Sequence, residues 1–542
     1  MMAGTVLVCT LVACNKEQEV KEETNPENEV ELVTEVIRAS WDEGETKGNI
    51  AEVGGAFTWS EGDKIAVHTN NDGGTWYYSQ ALVAGDEGQT SANFTTTFAG
   101  TRDAVAVFPN SLVTEGADAL SSGLTVTLPS SYRLADVLGD KAPTPMVAVN
   151  TGETLAFKHL CGLLRLTING IPAEATKLTV DFLGRKVYGD FTIAAGDLEP
   201  GEDGCIISTT SPSANDVITI TDLDGSASVT VNIPLPAGTY DDVVITPYNG
   251  GDALELMAVR HIKGGSYTAS RAHRRKLTAT LVSFTINDSN DKVVFAPGNL
   301  QAVFASAGSS CTWKFADYQY YTVGAGGANT SIDGSGSVSK AGTVDLFGWV
   351  GYGGANNNYG ITTSETMNVY GDYHDGRYWP ESLKNDWGKL PIGSYAVDTW
   401  RTLSAAEDNT GEWNYLIESR VGDRFAEASV NSKYGVIIFP DNYHGPLYPN
   451  NINTPVSWNK DDLSDYTVEE WEILESAGCI FLPCGGYRKD DTEVIAPDTY
   501  ASYWSTTAGN RVVILFANNG FMDAVHWQAR ANASSVRLVR DL

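Results

Sequence analysis

Short runs in which apolar and polar residues alternate, separated by Gly, Asp, Asn and Ser clusters, fill the chain from Val30 to about Leu281. They recur at roughly 8 to 12 residues, the pattern of β-sandwiches. Residues 64–68, 104–108, 163–168, 228–233 and 242–246 are examples, each able to turn every second side chain toward a core. Clusters such as Asn71-Asp72-Gly73-Gly74, Leu223-Asp224-Gly225 and Asn249-Gly250-Gly251 supply the turns between them. No helical stretch of comparable length competes in this half. A chain of 542 residues exceeds what one core fills, since domains run to roughly 100–200 residues. Two sandwiches, spanning residues 30–168 and 169–282, are the economical division.

Charge removes several function classes. With 36 Lys and Arg against 68 Asp and Glu, the net charge is −32; such a field repels phosphate backbones and anionic headgroups, so no nucleic acid is expected as a partner. Hydrophobic residues at 42% with only 19% charged, and 54 Gly, describe a folded, turn-rich chain and not a disordered acidic one.

The first apolar run, Thr5 to Ala13, is far short of the roughly 20 residues that span a bilayer as a helix. Residues 1–13 fit a secretory signal peptide. Within them Leu11-Val12-Ala13-Cys14 resembles a bacterial lipobox, which implies that Cys14 carries a lipid anchor and is the chain's only link to a membrane. The chain opens Met-Met-Ala-Gly without a basic segment, so an ordinary signal peptide with an incidental Cys stands as the alternative. Residues 14–29 are polar and aperiodic, a solvated tether. Beyond Cys9 and Cys14, five scattered cysteines remain, which make no disulfide framework. Cys479 and Cys484 lack a second pair or nearby His to complete a metal site and are expected in the core.

Three segments carry a resemblance. Phe57-Thr58-Trp59-Ser60-Glu61-Gly62-Asp63-Lys64-Ile65, Phe157-Lys158-His159-Leu160-Cys161-Gly162-Leu163-Leu164-Arg165 and Ile233-Pro234-Leu235-Pro236-Ala237-Gly238-Thr239-Tyr240 resemble, in order and spacing, the fimbrillin family of Bacteroides-type bacteria. The resemblance covers about residues 30–281. It implies lipoprotein export to the cell surface and outer membrane, and partners that are other fimbrillin subunits joined into a fimbrium, a pilus of the type V kind. The bond would be strand exchange: a sandwich lacking one strand exposes unpaired backbone groups that a neighbour's strand fills. In the family an Arg-directed protease removes the first strand. Residues 31–41 are strand-like and contain one Arg, which places the expected cut between Arg38 and Ala39; an uncleaved first strand in a surface lipoprotein is the alternative.

Composition changes after residue 282, where ten of the 13 Trp fall. Residues 275–281 alternate as a closing strand, so a third domain spans 283–542. Ser404 with Glu407 suggests a capping box opening a helix that continues through residues 412–417, with the Asp408-Asn409-Thr410-Gly411 interruption splitting it into a turn and a longer piece as the alternative. A second short helix is expected at 468–476, followed by strands at 479–483, 502–505, 512–516 and 535–540. Trp313-Lys314-Phe315-Ala316, Asp345-Leu346-Phe347-Gly348-Trp349, Trp400-Arg401-Thr402-Leu403-Ser404, Ile480-Phe481-Leu482-Pro483 and Tyr503-Trp504-Ser505-Thr506 resemble the "major paralogous" domain of secreted bacterial proteins, related in appearance to C-type-lectin-like folds. The expected architecture is therefore mainly β: two tandem fimbrillin-like β-sandwich domains, then an α+β C-type-lectin-like domain acting as adhesin.

Calcium-dependent sugar binding by such folds needs a carboxylate-and-amide motif, EPN or QPD beside WND. Neither of the first two occurs, and Asn385-Asp386-Trp387 has the wrong order, so no metal or other cofactor is expected. Aromatic faces and amides can still hold glycan, and two loops have that composition: one with Tyr352, Asn356, Asn357 and Tyr359, another with Tyr373, Tyr378 and Trp379. The alternative is that these aromatics fill the domain's own core.

No HExxH, GxSxG, Walker or dinucleotide motif occurs, and no enzyme is expected. A distant formylglycine-generating branch would need reactive thiols, for which Cys479 and Cys484 are the only candidates. Because the resemblance places residues 535–540 inside the third domain's own sheet, the chain is expected to receive a neighbour's strand without donating one. It is then a fimbrial tip subunit or adhesin, precursor of an outer-membrane lipoprotein, presenting its last domain to a glycan or a host or bacterial surface. The alternative is a surface lipoprotein that binds glycan and never polymerises.

Overall fold

A computed structural model describes residues 32–41, 58–139, 144–150, 152–199, 205–209, 215–262, 267–269, 274–333, 336–349, 360–362, 386–456, 463–489, 492–508, 512–518, 520–528 and 532–542. The chain is mainly β.

The first unit is built on an eight-stranded sheet. In spatial order its strands are Ser91–Ala99, Leu32–Trp41, Thr154–His159, Met146–Val149, Arg102–Phe108, Ala66–Thr69, Thr75–Tyr78 and Gly116–Ala117. Period-2 alternation sends neighbouring residues to opposite faces. Ala106 and Phe108 enter a core with Ile37, Trp59, Phe94, Phe98 and Phe157. Val105 and Val107 enter another with Trp76, Leu124, Val126, Phe191 and Ile193. The second face is covered by the antiparallel pair Leu124–Leu128 and Gly189–Ile193.

The second unit packs two sheets face to face. One orders Ser228–Leu235, Gly162–Asn169 and Arg274–Thr280; the other orders Asp252–Ala253, Asp242–Asn249, Lys177–Asp181, Val217–Thr221 and Ser131–Arg133, with Ala258–His261 also on Asp242–Asn249. Between them Leu164, Leu166 and Ile168 meet Leu178, Val180, Ile218, Ile220, Val231, Ile233, Val243 and Ile245. Strand Gly162–Asn169 thus finds both neighbours later in the chain. Ser131–Arg133 pairs with Val217–Thr221, and Tyr132, Leu134 and Val137 lie in this core. The two units therefore interleave between about residues 131 and 207 and do not divide at one point near residue 168.

In the third unit the opening strands Phe284–Thr285 and Lys292–Phe295 share a sheet with Leu538–Asp541 and Arg401–Thr402. The helix Val468–Ser476 begins at a capping box in which Thr467 Oγ1 accepts from Glu470 N and Glu470 accepts from Thr467 N. This matches the expected span. The helix expected from Ser404 does not form: the helical turns begin only at Glu412–Asn414 and continue as the wider turn Tyr415–Ser419. Asn409 at φ +62° breaks the run, and a Cβ at Gly411 would meet Ala405 Cα at 2.4 Å. Ser404 still pairs with a glutamate, but it is Glu412, which accepts from Ser404 N at 2.7 Å and Oγ at 3.1 Å.

Candidate functional site

The first strand, Leu32–Trp41, lies between two neighbours of opposite direction. It runs antiparallel to Ser91–Ala99 over residues 32–40 but meets the parallel Thr154–His159 strand only from Arg38 onward. The Arg38–Ala39 bond is therefore where pairing on both sides begins. Arg38 stands opposite Asn93 and Thr154, and Ala39 opposite Ala92 and Leu155. Alternation buries Ile37 and Ala39 and leaves the Arg38 side chain in solvent, where Nη2 donates to Ser91 Oγ at 3.1 Å. Upstream, Leu32, Val33 and Val36 are 65%, 46% and 63% exposed. Glu35 pairs with Arg102 at 3.6 Å, and Arg102 also donates to Gly152 O.

Of the three fimbrillin-like segments, those with Trp59 and Phe157 pack around this strand, whereas residues 233–240 lie in the second unit. Trp59 is fully buried, with ring centroids 5.0 Å from Phe94, 5.1 Å from Phe108 and 6.0 Å from Phe157, all edge-on. Gly62 turns at φ +90°, and Asp63 accepts from Ser60 N at 2.8 Å. Burial pushes the Asp63 carboxyl up to about 6, against that hydrogen bond. In the Pro-Leu-Pro segment, Tyr240 donates to Pro236 O at 2.9 Å, and Gly238 lies where a Cβ would meet Thr209 O at 2.6 Å. These motif residues are structural anchors.

The last strand, Leu538–Asp541, is flanked by Lys292–Phe295 and, at Leu538 and Val539, by Arg401–Thr402. Val539 pairs with Phe295 on one side and Arg401 on the other. Arg401 Nε reaches both Asp541 oxygens, at 2.9 and 3.0 Å, and its other nitrogens take Glu412 at 2.7 and 2.9 Å. Just before the strand, buried Arg537 donates to Asn299 Oδ1 and Gln319 Oε1; burial lowers its guanidinium to about 10. Arg401 lies in one of the quoted motif segments, but nothing in the sequence pattern marks Gln319, and only the fold brings either to these partners.

The aromatic motifs of the third unit interlock. Trp504 Nε1 donates to Phe347 O, and Trp349 Nε1 donates to Ser505 O at 3.1 Å. Asp345, pushed up by burial, accepts from Val323 N and Asn329 Nδ2, both at 2.7 Å. Asp386, the acid of the Asn-Asp-Trp segment, is also committed: it accepts from Gly388 N at 2.9 Å, Thr402 N at 2.9 Å and Thr402 Oγ1 at 3.1 Å. Cys479 and Cys484 are buried free thiols whose pKa burial pushes up, the opposite of an activated nucleophile. Among the described residues, no group of three or more His, Cys, Asp or Glu is placed to hold a metal ion, and no helix is long and apolar enough to cross a membrane. Cys14 and the loop residues Tyr352, Asn356, Asn357, Tyr359, Tyr373, Tyr378 and Trp379 lie outside the described residues.

No family model and no curated protein matches this sequence. Among solved structures, the chain is similar to a candidate cell adhesion protein from Bacteroides ovatus, with 14% identity and a TM-score of 0.28 over 45% of this chain and 91% of that one. A candidate cell adhesion protein from Bacteroides uniformis gives 17% identity and a TM-score of 0.26 over 45% and 92%. The tip fimbrial protein Mfa3 from Porphyromonas gingivalis, with C-terminal truncation, gives 11% and 0.20 over 44% and 81%.

Proposed function

We propose that this chain is a surface-exported fimbrial adhesin that receives a neighbour's strand in its first sandwich and presents its third unit, of C-type-lectin-like kind, to a ligand. One observation carries the reading: the first strand changes from one-sided to two-sided pairing at Arg38. Cleavage there would take away Leu32 to Arg38 and leave the Asn93–Ala99 backbone unpaired on that side, an edge that a donated strand can fill. The last strand supports the same reading, because Leu538–Asp541 lies between Lys292–Phe295 and Arg401–Thr402 and releasing it would break the sheet that holds the third unit's opening strands. A tip position follows from accepting without donating. The lipid on Cys14 would serve export, and the two loops around Tyr352 and Tyr373 would face the ligand, a glycan being the chemistry their amides and rings suit.

A second reading has its own support. The Arg38–Ala39 bond is held within the sheet, where a protease cannot bind it as an extended chain without local opening. That geometry supports an uncut, lipid-anchored receptor as the second reading. N-terminal sequencing of protein recovered from the producing cells separates the two. Ala39 as first residue is the expected result, and a lipid-modified Cys14 on all of the surface protein would overturn the polymer reading.

A further inference from the structure

The joint between the second and third units contains a largely buried histidine with acceptors on both ring nitrogens. His261 stands directly across the sheet from Asp242, and its Nδ1 meets Asp242 Oδ1. Its Nε2 reaches over the joint to the carbonyl of Ala316 in the third unit, at 2.9 Å. A carbonyl can only accept, so Nε2 must carry a proton; a carboxylate also accepts, so Nδ1 needs one as well. Neutral imidazole has one N–H and cannot serve both; imidazolium can.

The Ala316 carbonyl is firmly placed. Ala316 N donates to Asn299 O at 2.8 Å, and Gly298 packs so closely that a Cβ there would lie 2.3 Å from Ala316 O. Around the same joint Arg260 Nη1 donates to Glu475 O at 2.9 Å and Thr280 Oγ1 to Ser476 O at 2.6 Å, both at the end of the helix Val468–Ser476. Val244 and Met257 complete it by entering the third unit's core. A cavity of about 30 Å³, bounded in part by Arg260, His261, Gln319 and Glu475, lies at this contact.

We propose that His261 is a proton-operated latch: as imidazolium it ties the third unit to the second, and on losing its proton it frees that contact. The charged and titratable groups facing it are Asp242 beside it, Asp241 next in the chain, Glu475 from the helix, Arg185 and Lys314, and Tyr395 with Asp181 and Arg540 behind it. Burial lowers the imidazole's pKa, while Asp242 and then Glu475 raise it, and the net direction is upward. A folded-state pKa above the unfolded one places the stabilisation below the ordinary imidazole range. It is lost as pH rises through the folded value. The contact therefore holds under mildly acidic conditions and loosens under alkaline ones.

Hydrogen exchange of the full chain tests this, read at peptides covering residues 298–317 and corrected for the intrinsic pH dependence of exchange. A local readout separates His261 from His68, which in the first unit also lies between a carboxylate, Asp103, and a carbonyl, Asp118. Exposure of 298–317 is expected to rise between pH 6 and pH 9, by about tenfold for each unit separating folded and unfolded pKa values. His261→Gln should flatten that profile. Asp242→Asn keeps an oxygen acceptor but removes the charge, so it should move the midpoint to lower pH. An unchanged profile in His261→Gln, or an Asp242→Asn midpoint that stays in place, would overturn the latch.

Discussion

Arg401 holds Asp541 and Glu412 at once, joining the last strand to the turn where the helical segment of the third unit begins. The two halves of this bridge differ in weight. Asp541 is 65% exposed, so its pair is screened and contributes little; Glu412 is only 18% exposed and also anchors Ser404. Arg401→Ala should lower stability by about 1–3 kcal/mol, mostly through Glu412. Urea denaturation gives the magnitude. Asp541→Ala should cost less than about 1 kcal/mol, and a larger loss there than in Arg401→Ala would contradict this ranking.

Trp59 offers the sharpest test of the first core. Its ring fills the space between Phe94, Phe108 and Phe157, and Phe94 belongs to the strand that pairs with the first strand. Trp59→Ala should cost about 3–5 kcal/mol. It should also raise the rate of cleavage at Arg38 by an Arg-specific protease, because the sheet around that bond then opens more readily. A destabilised variant cut no faster than wild type would show that cleavage does not depend on opening this sheet.

Asp63 sets a pH dependence of opposite cause to that of a salt-bridged acid. Its folded-state pKa is pushed up to about 6 by burial, so the folded state holds the proton more tightly than the unfolded one. The favourable contribution is complete below the ordinary carboxylate range and disappears as pH rises through about 6. Asp63→Asn should remove that part of the slope between pH 4 and pH 7. Chemical denaturation at several pH values, read through first-unit tryptophan fluorescence, measures it; a variant slope equal to wild type would refute the assignment.

Cys161, Cys479 and Cys484 are buried, and burial raises the pKa of each. Alkylation near pH 8, followed by peptide mass spectrometry, should leave all three unmodified on a timescale of minutes and label them fully once the chain is denatured. Rapid native labelling of Cys479 or Cys484 would reopen the thiol-enzyme reading.

Much of the fold was legible because period-2 alternation and turn residues are local. Expected strands at 228–233 and 242–246 form within Ser228–Leu235 and Asp242–Asn249, and the helix at 468–476 forms as expected because Thr467 and Glu470 carry the capping box within four residues. The Ser404 helix failed for a complementary reason. Its apparent capping partner Glu407 is local, but the carboxylate that Ser404 engages, Glu412, lies beyond a turn that Asn409 and Gly411 impose.

What the sequence by itself determined is the list of strands, the change of composition after residue 282, and the place of an exposed Arg within the first strand. Which strands become neighbours was decided only in three dimensions. Gly162–Asn169 pairs with strands far downstream, Leu538–Asp541 is enclosed by Lys292–Phe295 and Arg401–Thr402, and His261 faces Ala316 across a joint. The physical reason is that alternation specifies which face of a strand is apolar. The identity of the partner edge depends on how the sheets close around shared cores, and that is a property of the whole chain.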